Sequence, residues 1–249
     1  AGASIALGSG SFNSGSLTFN SAGSVTISED SSLDLVGVNT AGSADIDSVA
    51  AVSDSAATSV TVTSLLDVSG TSIVLGSGAT VFNAGTLTFN SAGSVTISED
   101  SSLDLVGVNT AGSADIDSVA AVSDSAATSV TVTSLLDVSG TSIVLGSGAT
   151  VFNAGTLTFN SAGSVTISEG SSLDLVGINT ADSTDLDSSV GVSDAGAASV
   201  TVTGLLDVSG TSIALGSGAT VFNTGSLTFN STGSVTISED SSLDLVGIN

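Results

Sequence analysis

Apolar and polar residues alternate along most of this chain, in short runs separated by glycine- and serine-rich breaks. Leu87-Thr88-Phe89-Asn90, Val95-Thr96-Ile97 and Leu103-Asp104-Leu105 are three successive runs. A period of two sends successive side chains to opposite faces, so each run predicts a short strand with one buried and one wet face. Stretches such as Ser28-Glu29-Asp30-Ser31-Ser32 read as polar corners between them. The alanines of Ser48-Val49-Ala50-Ala51-Val52 also suit a helical turn. Gly191 and Gly196 replace the corresponding alanines later in the chain, and glycine disfavours helix, so this run is read as strand.

The runs recur every 70 residues. Gly15 to Ala84 matches Gly85 to Ala154 at every position except Ser16 against Thr86, and Gly155 to Thr224 matches with scattered small swaps. Ala1 to Ser14 ends an earlier copy and Gly225 to Asn249 begins another. A fixed period of this kind is the signature of solenoids and arrays. The chain is therefore expected to be one continuous repeat solenoid over residues 1–249: a partial repeat at 1–14, full repeats at 15–84, 85–154 and 155–224, and a partial repeat at 225–249. It reads as a segment of a longer chain.

Each repeat divides into glycine-led or serine-led sub-units of 27, 22 and 21 residues, Gly85 to Ala111, Gly112 to Thr133 and Ser134 to Ala154. Overlaid, their first strands begin at Leu87, Ala114 and Leu136, their second at Val95, Ala120 and Ile143, and their third at Leu103, Val130 and Val151. Three sub-units of three strands predict an all-β fold, a three-faced β-solenoid with about three coils per 70-residue repeat. Phe82 and Phe89 lie seven residues apart across Gly85 and are expected in adjacent coils as stacked core fillers. The first partial repeat lacks two residues where later copies carry Ala149-Thr150-Val151, a glycine-rich corner that tolerates length changes.

Composition narrows the function. The 249 residues contain no Lys, Arg, His, Pro, Cys, Met, Trp or Tyr, against 24 Asp and Glu, for a formal charge of −24. With 41% apolar residues this is not the profile of disorder. Without a basic footprint there is no means of binding nucleic acid, and no side-chain ion pair can form inside the chain. Absence of His, Cys and Lys removes the usual nucleophiles and bases, and an active site is built once, whereas this unit is copied; no enzyme is expected. A carboxylate pair such as Asp115 and Asp117 would be the one candidate for polysaccharide cleavage. No apolar run is long enough to span a membrane, and no signal peptide appears.

The acidic residues carry the remaining chemistry. One repeat holds seven: Glu99, Asp100, Asp104, Asp115, Asp117, Asp124 and Asp137. Three coils at a strand spacing of about 4.8 Å advance about 14 Å, so such a rod gathers cations. Asp115 and Asp117 share the outer face of one strand, with Asp137 expected beside them one coil on. Calcium favours several carboxylate and carbonyl oxygens, so these three are the candidate metal ligands. Neither an EF-hand loop nor the nonapeptide calcium repeat is present. Threonine pairs such as Thr86 with Thr88 and Thr131 with Thr133 present outward hydroxyls of the kind ice-binding solenoids use, but the equivalents Ser113-Asp115 and Leu135-Asp137 interrupt the row with charge.

Gly-Ser-Leu-Thr-Phe-Asn-Ser-Ala-Gly-Ser-Val-Thr-Ile at 15–27, and its near-copy at 85–97, resemble the repeats of filamentous-haemagglutinin-like and autotransporter-type bacterial surface proteins. The resemblance covers nearly all of the chain. It implies a right-handed parallel β-helix, export to the cell surface, and a role in adhesion, biofilm or cell-envelope filaments. The expected protein is thus an extracellular structural shaft that self-associates end to end or side by side. The alternative is a surface module binding calcium or surface polysaccharide.

Overall fold

Short alternating runs cannot bury their apolar faces alone, and here each does so against the run one coil away. A computed structural model describes residues 3–54, 59–77, 81–124, 128–147, 151–194, 198–217, 221–247 and 249. Among these residues there are twenty-seven strands and no helix, and every strand pairing is parallel. The chain divides into two compact units, residues 1–120 and 121–249. Each is a parallel β-solenoid with about 21 residues per coil.

In the first unit one stack runs Ile5, Val25, Ala44, Leu66, Leu87, Leu105, each directly paired with the next. A second runs Leu33, Val52, Ile73, Val95, Ala114. A third pairs Asn39 with Val60 and Val60 with Phe82. These residues point inward and are almost fully buried from Val25 onward. In the second unit Val122, Ile143, Val165, Thr184, Leu206 and Leu227 form one stack in the same way. Leu136, Leu157, Leu175 and Asp194 lie in another. The run at residues 48–52 is strand only in part: Ser48 ends the strand Ser43–Ser48, Ala51 and Val52 begin the strand Ala51–Asp54, and Val49 and Ala50 form the bend between them, not a helical turn.

The coil and the repeat have different lengths. Three coils above Val25 lies Leu87, and Val95, the counterpart of Val25, lies eight residues farther along, the length of one face. Each repeat is therefore three coils plus one face. The identical strands Ser24–Glu29 and Ser94–Glu99 accordingly belong to different stacks of the first unit. In the second unit Val165 and its counterpart Val235 are separated in the same way, Val235 stacking on Ile213 and Val192.

This corrects the coil boundaries read from the sequence. The 22- and 21-residue sub-units overlay in their first strands, Ala44 pairing with Leu66, but their other strands are shifted from the expected alignment: Val122, not Ala120, pairs with Ile143, and Val130 pairs with Phe152, not Val151. The 27-residue sub-unit does not. Ala114 pairs with Val95 instead of lining up with Leu87, because that sub-unit contains a whole coil and one extra face. Phe82 and Phe89 are likewise not in adjacent coils. Both lie in the strand Phe82–Ser91, on either side of Gly85, with Phe82 on Val60 and Phe89 on Val68. Both are fully buried core fillers. The two missing residues of the first coil shorten its step to 20, from Ile5 to Val25, where Ile73 to Val95 takes 22, and the stack survives.

Corners are fixed by buried polar side chains. Asn109 is fully buried; its Oδ1 accepts the Phe89 N–H at 3.0 Å and its Nδ2 donates to the Val106 carbonyl at 3.0 Å. Asn39 and Asn179 do the same for Phe19 with Val36 and for Phe159 with Val176. Glycine is required at another corner. Gly76 has φ +75°, and a Cβ there would sit 2.0 Å from the Ser98 carbonyl oxygen. Gly10 has nothing within 4 Å and no positive φ.

Two stability outcomes follow. Asn109→Ala strands the buried Phe89 N–H, while the Val106 carbonyl keeps the Thr88 hydroxyl; it should cost about 1–3 kcal/mol, the penalty of one unsatisfied group, measured as a lowered urea midpoint. Gly76→Ala should destabilise by more than the roughly 1 kcal/mol of left-handed backbone alone, while Gly10→Ala should leave the urea midpoint within experimental scatter.

Candidate functional site

Carboxylates occupy two environments, and strand parity decides which. In the strand Ser94–Glu99, Val95, Ile97 and Glu99 share the inward side, so the glutamate follows the valine and isoleucine into the core. Glu29, Glu99 and Glu169 are 1–3% exposed. Glu99 accepts the Ala84 N–H at 3.0 Å and the Ser101 hydroxyl at 2.7 Å. Glu169 accepts the Ala154 N–H and the Ser171 hydroxyl, and Glu29 the Ser14 N–H and the Ser31 hydroxyl. Each glutamate thus closes a corner by taking a backbone donor 15 residues back. The neighbouring aspartate is dispensable there: Asp100 accepts the Phe82 N–H at 2.8 Å, yet Gly170 takes its place in the third repeat while Glu169 keeps its bonds.

Asp54 and Asp194 also turn inward, each 8% exposed. Their Oδ2 atoms accept the N–H of Gly76 at 2.8 Å and of Gly216 at 2.7 Å. Their Oδ1 atoms are buried with no hydrogen-bond partner among the described residues. Burial raises both carboxyls above the usual range, offset in part by these backbone donors, with Asp34 and Asp174 adding smaller repulsions. Burial likewise raises Glu99 and Glu169 against the pull of their serine and backbone donors. A chain with no Lys, Arg or His adds no cationic side chain to this pull.

Asp124 is buried in the same way, 8% exposed, its Oδ2 accepting the Gly146 N–H at 2.8 Å. The remaining aspartates lie at the surface. Asp115 and Asp117 lie on the strand Ser113–Ser118 of the first unit, paired with Thr96 and Ser98. Asp137 lies on the strand Ser129–Gly140 of the second unit, paired with Thr158. The expected three-carboxylate arrangement is seen within a single unit in the other two copies. Asp45 pairs with Asp67, and Asp47, two residues on, with Ser69, whose hydroxyl it accepts. Asp185 pairs with Asp207, and Asp187 with Ser209, in the second unit. Desolvation first, and the neighbouring carboxylates second, raise Asp45, Asp67, Asp185 and Asp207. Asp115 is raised by burial and by Asp117. Among the described residues no group of three or more acidic side chains is arranged to hold a metal ion.

Two consequences bear on the sequence reading. In the outward row Thr26, Asp45, Asp67, Thr88 two adjacent aspartates separate the threonines, so no threonine lattice forms on that face. Of the seven acids in residues 15–84, Glu29 and Asp54 are buried, leaving five on the surface. The sequence reading treated Glu99 as part of a polar corner and missed its inward turn. Its alternation with Val95 and Ile97 is the signal that finds it.

No family model, curated protein or solved structure matches the chain.

The buried carboxyls of Asp54, Asp194, Glu99 and Glu169 set the pH dependence. Their folded pKa values are raised, so the folded state holds protons that the unfolded chain has released. That stability is fully present below the unfolded carboxyl range near about 4 and is lost as pH rises through the folded values. The thermal midpoint should therefore climb by several degrees between pH 7 and pH 4, opposite to ordinary acid denaturation. Asp54→Asn with Asp194→Asn should raise the midpoint at pH 7 and flatten the slope, read by circular dichroism at low protein concentration.

Proposed function

We propose that this chain is a structural length of an extracellular filament or giant adhesin, a stiff acidic shaft of the filamentous-haemagglutinin-like or autotransporter type. The observation that carries the reading is the register: each repeat is three coils plus one face, and strand pairs on strand coil after coil within each unit. Such a segment is adapted to length. Within each unit every coil is bonded to its neighbours by backbone ladders, which resist bending, and near-identical repeats extend such a segment without new contacts having to be devised.

Copying also distributes surface evenly. Because a repeat begins one face later than the last within each unit, a strand and its copy there lie on different faces. A shaft needs such uniformity, whereas a single active site does not. Outward carboxylates keep neighbouring shafts apart, and an unpaired end coil offers the open strands on which a further coil can stack.

A second reading, calcium binding at Asp45, Asp47 and Asp67 of the first unit and at Asp185, Asp187 and Asp207 of the second, is favoured by the in-register pairing of like charges. Calorimetry separates the two. A shaft with diffuse counterions should show weak, salt-sensitive heats without a fixed stoichiometry, and one tight calcium per repeat would establish the module instead.

The structural reading is tested on intact cells of the source and on aligned fibres. Antibody to the chain should label extracellular filaments by immunogold electron microscopy, and fibres should give an axial reflection near about 4.8 Å with a rise of about 16 Å per repeat. Labelling confined to the cell interior would remove the surface-filament role.

A further inference from the structure

Beyond the shaft, one groove combines two kinds of lining. On the first unit, Asp47, Asp67, Ser69, Thr88 and Asn90 border a groove of about 650 Å³ together with Leu65 and the Val106-Gly107-Val108 loop. The loop exists because Leu87 pairs with Leu105 while Asn90 pairs with Thr110, so two extra residues bulge outward over the face. Val108 at its tip is 61% exposed. Acid lies along Asp47 and Asp67, and apolar surface along Leu65 and the loop.

Most of the neutral polar groups are already engaged. Thr88 donates its hydroxyl to the Val106 carbonyl at 2.8 Å, Ser69 donates to Asp47, and Asn90 Oδ1 accepts from Thr110 at 2.6 Å. What remains is negative charge. Asp67 faces Asp45 across one coil, with Asp47 beside them, and like charges in register are unfavourable without a counter-charge. The same residues recur on the second unit, where Asp185 faces Asp207, Ser209 donates to Asp187, and Leu205 is exposed. The chain's 249 residues supply no Lys, Arg or His to neutralise either place.

We infer that this groove is a docking site for a basic side chain of a partner polypeptide, its aliphatic stem on Leu65 and Val108 and its cationic head between Asp47 and Asp67. Lysine and arginine carry this pairing of apolar stem and charged tip. A polyamine charged at both ends would leave one charge against the apolar wall. A sugar would lack the aromatic platform, since no described phenylalanine is exposed and Trp and Tyr are absent. A hydrated metal ion gains nothing from Leu65 and Val108. The field of the acidic surface steers such a partner toward the groove.

The test uses the whole chain in about 0.15 M salt, the physiological ionic strength, with an acetylated, amidated pentapeptide bearing one central lysine among glycines. Its norleucine counterpart keeps the stem without the charge, and tetramethylammonium keeps the charge without the stem. Methyl and side-chain amide resonances of labelled valine, leucine and asparagine report occupancy. The lysine peptide should bind saturably, at least tenfold tighter than either control. Asp67→Asn together with Asp137→Asn and Asp207→Asn should abolish that difference. Asp34→Asn with Asp104→Asn and Asp174→Asn, an equal change of charge, should leave it in place. Equal binding of lysine peptide and tetramethylammonium would reduce the groove to diffuse counterion condensation and overturn the inference. Binding that survives the Asp67 set would place the site elsewhere, and tighter binding of putrescine than of the peptide would replace the partner protein with a free polyamine. None of these outcomes alters the shaft reading, which rests on the register.

Discussion

Parallel strands stacked in register allow each inward side chain only one neighbour above and one below, at a separation of about 4.8 Å. Val25 must fit Ala44, Ala44 must fit Leu66, and Leu66 must fit Leu87. The interior is therefore a set of ladders whose rungs are chosen for a narrow cross-section, filled by Val, Ile, Leu and Ala with a phenylalanine where the corner leaves room. The same constraint dictates the corners. Each coil must turn three times without losing its axial bonds, so backbone donors stranded at a turn need a partner from the next coil. Asn109 and Glu99 supply it by reaching between coils.

Buried acids are affordable in this interior for a specific reason. A glutamate such as Glu99 meets one backbone N–H and one serine hydroxyl, so its oxygens are hydrogen-bonded although no cation is near. Asp54 is less well served, with one oxygen bonded to Gly76 and the other buried alone. A neutral carboxylic acid satisfies such a place better than a carboxylate, because desolvation penalises charge far more than it penalises an O–H group. The chain thus keeps its net charge on the outside and lets protons settle the accounts of the inside.

Much of this was legible in the residues. Period-two alternation gave the strands, the 70-residue repeat gave the solenoid, and the 22- and 21-residue spacings matched true coil steps. The 27-residue sub-unit misled because strands in a ladder are equivalent by height, not by resemblance. Leu87 and Ala114 begin similar-looking runs, yet Ala114 sits over Val95. Parity could have revealed Glu99, Asn109 and Asp54 as inward residues, since each continues an apolar series; reading polar residues as corner residues hid them. The groove was beyond sequence altogether, because it depends on Val108 bulging over a face contributed by residues 41 and 61 positions earlier, Asp67 and Asp47.

The mismatch between a coil of about 21 residues and a repeat of 70 has a consequence for selection on such a chain. Were the repeat a whole number of coils, each outward aspartate would recur in the same row every three coils, about 14 Å apart, and its charge would fall always on one side. Within a repeat, Ser24–Glu29 lies against Ser43–Ser48 and Ile5–Leu7, so threonine meets aspartate and serine meets aspartate along this face. Repulsion is concentrated where Asp45 meets Asp67 in the first unit and where Asp185 meets Asp207 in the second. A repeat copied by duplication can lengthen indefinitely under this arrangement without building an unscreened ridge of charge.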